Sequence, residues 1–413
     1  TLSGDQASFI SKTSKKENWE RKSALINFNF EGRKITSRLL EYGRYRIYNP
    51  ELDLPPPRGD YLKYRLIYLI EEKGPINLET IIKELKTEER IERVEKILKK
   101  LEDDGFIKET KGYYDVVDEL KDAWSILKKL VEFIGKRVFE ENELQIEKYG
   151  KNYWLTTLDL SFLTLFCIYM LIEECWKRNI LLVGMTKDTS AKDFKSHFIP
   201  ICQNSQIISL NIDQRKLALI PNTDRMFLQS LSLLNLEQIS PPWSLIEYDS
   251  SFKTLVPARD EKTGVVLPGY VRGAIRNKIS PERLFLKSYI QLIQAKSDKR
   301  LRSNVLAIDR LVFPLDLKSE TIVTFKNKYG KFEELVKVIV YKDKNVENKI
   351  QNMLLEILYY MSETNIPELF GHNKPLFVAD KIAKWHVNVI KNVIKAMKRW
   401  IMNNPELRDF VFY

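Results

Sequence analysis

The chain has 413 residues, 67 Lys and Arg against 56 Asp and Glu for a net charge of +11, and an apolar fraction of 44%. That length predicts two or three folding units with substantial cores, and the positive excess points to a polyanionic partner, nucleic acid first and an acidic membrane surface second. Three cysteines without a C-x-x-C pair, and three histidines, exclude a disulfide framework and weigh against structural zinc, so the cytoplasm is the expected compartment. The longest apolar run, 162–172, is too short to span a bilayer, and no secretory signal opens the sequence, so no membrane partner is expected. P-loop, GxGxxG, HExxH and GxSxG patterns are absent, which removes support for NTP hydrolysis and for serine or zinc hydrolase chemistry.

Residues 7–11, 24–30 and 44–48 read as strands, the second closed by a turn at Glu31-Gly32-Arg33. This first block, 1–57, adds strands to a central sheet and ends at Pro55-Pro56-Pro57, a stiff linker. Residues 58–117 read as a separate insertion: helix 61–72, a short strand after Gly74-Pro75, helices 78–85 and 88–103, and a hairpin from Gly105 to Tyr114. That order predicts a winged helix-turn-helix, whose third helix would read DNA. Yet residues 60–114 hold 12 Lys and Arg against 13 Asp and Glu, and the third helix opens with Glu88-Glu89, which phosphates repel. A structural or protein-docking module is therefore the expectation.

Residues 118–345 form the expected core with a small β subdomain. Its first element is an amphipathic helix, 118–140, with Leu120, Trp124, Leu127, Leu130, Val131 and Ile134 at helical spacing. Glu119 in its first turn either favours the helix dipole or projects toward Asp159. Residues 153–194 then read as strand, buried helix, strand. A parallel pairing of the two apolar strands would place Asp159 and Lys187 at one carboxyl edge, where a carboxylate and a lysine suit metal-assisted phosphodiester chemistry. Equally, Asp159 reads as a helix cap and Lys187-Asp188 as a solvated turn. Segments at 207–210, 216–220, 243–248 and 264–267 predict a small barrel or meander, followed by strands at 285–294, 304–308, 321–325 and 336–341. Asp309-Arg310 is either an ion pair at a strand end or part of a site.

The last part, 346–413, is helical: 346–363, a loop at Gly371-His372-Asn373-Lys374-Pro375, and a long helix 376–402. From 371 to 402 there are seven Lys and Arg against one acid. Lys381, Lys384, Lys391, Lys395 and Lys398 fall on related faces, with Trp385 and Trp400 among them. Such a helix either tracks a phosphate backbone or is simply a solvated face.

Several segments together resemble the NurA nuclease family of archaea. They are Asp159-Leu160-Ser161-Phe162, Gly184-Met185-Thr186-Lys187-Asp188-Thr189-Ser190, the run from Leu301 to Leu311 (R-S-N-V-L-A-I-D-R-L after Leu301), and Gly371-His372-Asn373-Lys374-Pro375-Leu376 with Ala379. The likeness covers residues 118–395 and leaves the 60–116 insertion outside. It implies an RNase H-like mixed sheet with flanking helices, a homodimer, DNA end processing with Mn²⁺ (or Mg²⁺), and docking on a HerA-type hexameric translocase. It further implies metal ligands at Asp159, Glu119 and Asp380, the last standing where the family has His, with Lys187 neutralising phosphate charge. Lys187, Arg310, His372, Lys374, Lys381 and Lys384 become the DNA-contacting candidates. No D-G-S for the family's first carboxylate occurs from Thr1 on, so that carboxylate either lies before Thr1 or is lost, Glu31-Gly32-Arg33 being a poor substitute, and Leu160 replaces a family Gly. Three functions follow: an active end-resecting nuclease, a NurA-like clamp or docking subunit without activity, and a winged-helix regulator.

Overall fold

The computed structural model describes residues 23–43, 60–85, 91–186, 189–209, 221–249, 255–273, 284–326, 333–342, 347–363 and 374–404, with isolated positions between them. The expected strands at 7–11, 44–48 and most of 216–220, and residues 86–90, lie outside that set. The chain is a mixed α/β protein with several separate sheets. No helix among the described residues is long and apolar enough to cross a membrane.

Residues 24–166 contribute to one core. Of the expected strand at 24–30 only β1 (Asn29–Phe30) pairs, with β2 (Arg33–Lys34). Glu31 and Gly32, both at positive φ, make the tight turn between them. The preceding Ala24, Leu25 and Ile26 are buried without being in a strand. Helix α1 (Ser37–Gly43) follows. Then come α2 (Asp60–Lys73), β3 (Ile76–Asn77), α3 (Leu78–Leu85), α4 (Ile91–Asp103), β4 (Ile107–Thr110) and β5 (Tyr113–Val116). The strands form a small antiparallel sheet in the order β3-β5-β4. Ile81 and Leu85 of α3, and Val94, Leu98 and Leu101 of α4, face inward at helical spacing, which is why these charged helices fold here.

The helix expected from 118 starts later. Asp118–Leu120 is a 3₁₀ turn, Asp122 sits at φ 59°, and α5 (Ala123–Phe139) begins after it. A left-handed residue cannot continue a helix, so Glu119 lies before α5 rather than in its first turn.

The parallel strand–helix–strand unit is not formed. β6 (Gln145–Lys148) and β7 (Lys151–Trp154) pair only with each other, around Tyr149-Gly150. Helix α6 (Thr157–Lys177) begins straight after, at the Thr156 cap. α6 joins two cores: Leu158, Phe162, Leu163 and Phe166 pack into the first, while Ile172 and Cys175 pack with Leu311.

After α6, β8 (Val183–Thr186) enters a five-stranded sheet, antiparallel throughout. α7 (Ile199–Asn204) and α8 (Asp224–Leu234) precede β9 (Trp243–Ser244), β10 (Tyr248–Asp249), β11 (Leu255–Arg259), β12 (Val266–Gly273), β13 (Phe285–Gln291) and β14 (Leu306–Leu311). The strand order is β10-β13-β14-β8, with β9 also on β13. β15 (Glu320–Lys326) and β16 (Glu333–Ile339) complete a four-stranded sheet, β11-β12-β15-β16, whose β12–β15 pair is parallel. The chain closes with α9 (Lys349–Tyr360) and α10 (Lys374–Met402).

Candidate functional site

Asp159 is the third residue of α6 and is fully buried. Its Oδ2 accepts hydrogen bonds from Thr156 N (2.9 Å), Thr156 Oγ1 (2.8 Å) and Ala24 N (2.9 Å), and its Oδ1 accepts one from Ser23 Oγ. Thr156 Oγ1 in return accepts from Asp159 N at 3.3 Å, completing a capping box. The carboxylate thus ties the 23–25 segment to the start of α6.

Glu119 is 71% exposed at its side chain and sits 3.7 Å from Arg38. Its carbonyl, not its carboxylate, is the group that binds Arg33. Asp380 lies on α10 and pairs with Lys384, one turn on, at 2.7 Å. Among the described residues no three His, Cys, Asp or Glu side chains converge to hold a metal ion. Asp159, Glu119 and Asp380 therefore do not form the expected ligand set: one acid is a saturated cap and the other two serve separate surface ion pairs. Lys187 and His372 lie outside the described residues, and β8 stops at Thr186.

Arg310 has a different role from the one expected. It is fully buried, with Nε 2.8 Å and Nη2 2.6 Å from the Glu247 carboxylate, and Nη1 2.9 Å and Nη2 2.7 Å from that of Asp316. Tyr341 Oη donates to Asp316 at 2.5 Å and Asn348 Nδ2 to Glu247 at 2.7 Å. Burial alone would lower the Arg310 pKa, but hydrogen bonds and charge from Asp316 and Glu247 override it and raise it. The guanidinium, fully buried and held by both carboxylates, knots β14 to the turn after it and to the α9 cap.

The opposite face of the same sheet carries polar groups of which sequence reasoning singled out only Asp309. Tyr248, Lys287, Asp309 and Gly184 stand opposite one another across β10, β13, β14 and β8, and so share one face. Lys287 Nζ is 2.5 Å from Asp193. Burial works against its charge, yet Asp309, Asp193 and Asp224 together raise its pKa. Asp224 accepts from Phe194 N and Lys195 N, both at 2.9 Å, and from Tyr289 Oη at 2.7 Å. Its pKa is raised by burial, against the pull of those donors. Tyr248 is buried, its hydroxyl has no hydrogen-bond partner among the described residues, and burial lifts its pKa well above the usual range. The sequence signal was a lone Lys287 in the apolar strand FLKSYIQ.

The remaining DNA candidates gather on α10. None of its 29 residues is buried. Lys374, Lys381 and Lys384 are exposed, as are Lys391, Lys395 and Lys398 further along. Lys381 also lies 5.3 Å from the ring centre of Phe377. At 100° per residue these lysines fall on one side and Val378, Ile382, Trp385, Val389, Val393 and Trp400 on the other.

No protein-family model matches the chain, and no curated protein or solved structure matches it.

Proposed function

We propose that this chain is a NurA-like DNA-handling subunit, a clamp and docking platform that works at DNA ends beside a HerA-type hexameric translocase. The observation that carries the reading is the lysine stripe of α10, Lys381, Lys384, Lys391, Lys395 and Lys398, exposed along a helix with one acid. Lysines at that spacing follow a phosphate backbone and release counterions on binding. The RNase H-like core that the resemblance implies calls for a mixed sheet; the five-stranded sheet with α6 and α9 packed on it offers the layers of such a core but pairs its strands antiparallel throughout. The order helix, strand, helix, helix, hairpin at 60–116, with strands in the order β3-β5-β4, supports a winged helix-turn-helix. Its near-neutral charge favours docking over operator reading, against a winged-helix regulator.

The nuclease form of the reading, with Mn²⁺ or Mg²⁺, draws on one other observation. β8 delivers Thr186 opposite Ala307, immediately before Lys187, and Asp309 and Lys287 share a face of the same sheet. In that form Asp309, not Asp159, is the carboxylate to test.

The experiment is DNA binding by the full chain across a salt series, with cleavage followed in parallel in Mn²⁺. Replacing Lys384, Lys391 and Lys395 with Gln should lower the slope of log K against log salt by roughly 2–3 and leave no cleavage to lose. An unchanged slope removes α10 from the DNA interface. Mn²⁺-dependent cleavage abolished by Asp309→Asn replaces the clamp with the nuclease.

A further inference from the structure

The resemblance calls for a divalent cation, yet among the described residues no three acids converge on one point. Acids do gather around a lysine. Lys287, the third residue of β13, stands between Tyr248 of β10 and Asp309 of β14, each directly opposite it and on its face of the sheet. Residues paired across antiparallel strands have Cβ atoms about 5 Å apart, so the Asp309 carboxylate and the Lys287 stem are neighbours. The Lys287 ammonium is 2.5 Å from Asp193 Oδ2. Asp193 precedes the π-helical turn Phe194–Phe198, and the first two amides of that turn bond the Asp224 carboxylate at 2.9 Å each. That turn therefore holds Asp193 and Asp224 beside one another.

Lys287 is 9% exposed. Taking an ammonium out of water is costly unless carboxylates compensate it. Here burial opposes the charge, and Asp309, Asp193 and Asp224 together overcome it. The acids face the mirror problem, because carboxylates brought this close repel one another unless a cation lies among them. Beside Lys287 the buried Tyr248 hydroxyl finds no partner among the described residues and feels the same three aspartates. A buried hydroxyl left unpaired is an oxygen still open to a ligand.

We infer that this face is a divalent-cation site closed by its own lysine: the Lys287 ammonium holds the place among Asp193, Asp309 and Asp224 that Mn²⁺ or Mg²⁺ would otherwise take. Such ions are bound through one or two carboxylates and several waters, so Asp193 and Asp309 are enough. Asp224, tied to two amides and to Tyr289, contributes charge rather than a ligand. The Asp193 side chain is still 22% exposed, which gives solvent a route to the ammonium. One positive charge already in place repels a second, so the wild type leaves Mn²⁺ in solution. The inference concerns the sheet face alone, and a chain whose α10 fails to bind DNA leaves it intact.

Titration of the full chain with Mn²⁺, the free ion followed by electron paramagnetic resonance, tests it. Wild type and Asp309→Asn should take up the same amount of Mn²⁺. Lys287→Met removes the ammonium and keeps the bulk of the stem. It should bind an additional Mn²⁺ at least about tenfold more tightly than the wild type does, and Asp309→Asn in the same chain should abolish that gain. Mn²⁺ should also raise the melting temperature of Lys287→Met and leave that of the wild type unchanged. A wild type that binds Mn²⁺ and loses it with Asp309→Asn overturns the proposal, as does a gain that survives Asp309→Asn. So does a Lys287→Met chain that Mn²⁺ neither binds nor stabilises, whether or not that chain folds unaided.

Discussion

Asp159 illustrates how one carboxylate serves two incompatible roles on paper and one in the fold. A buried acid taking hydrogen bonds from Thr156, Ala24 and Ser23 has its lone pairs engaged, and its loss strands those donors. Asp159→Ala should cost roughly 2–4 kcal/mol of stability, and Thr156→Ala about 1 kcal/mol. Denaturant unfolding checks both, and an Asp159→Ala chain as stable as the wild type would refute the capping role. Asp224 makes a prediction in pH. Its folded pKa is raised, so the native state holds more proton than the unfolded chain between the ordinary carboxylate range and the raised value. Stability from this group is full below about 4 and is lost as pH rises through the folded pKa. Asp224→Asn keeps an acceptor for Tyr289 and has no proton to lose. Melting temperatures from pH 7 down to 4 should therefore move in favour of the wild type relative to the variant, and parallel curves would contradict it.

Among the elements, α1 and α5 meet closely enough to dictate one residue. A Cβ on Gly43 would lie 2.2 Å from Leu127 Cδ1, a fully buried side chain of α5. Gly43→Ala should destabilise by about 1–3 kcal/mol, and Leu127→Ala in the same chain should relieve part of that cost. Thermal unfolding of the two singles and the double measures the coupling, and strict additivity would deny the contact. Helix α10 is the reverse case. Its pattern was legible residue by residue, with a basic side and an apolar side, but the fold leaves the apolar side open. Only packing distinguishes an amphipathic helix that covers its own core from one whose apolar side stays exposed.

For the whole molecule, α6 packs differently along its length: its first half belongs to the core of 24–166, and its second half packs on Leu311 of the five-stranded sheet. Trp176 Nε1, bonded to Val312 O at 2.9 Å, fastens that second half to the sheet. The sequence by itself determined the helices of 60–116, α5 from Ala123 on, and α9 and α10, because their apolar spacing is local and each turn repeats it. It also determined the charge imbalance that points to a polyanion. Only the tertiary structure decided the partners of the short strands, since two-residue and four-residue strands carry no information about which neighbour they pair with. The run before α6 therefore turned back on β6 instead of entering the sheet. Tertiary structure also decided what the acids and bases do. Asp159, Arg310 and Lys287 have the side chains a site would use, but their roles come from what folding places against them: backbone amides, two carboxylates, and a buried row of aspartates and tyrosines.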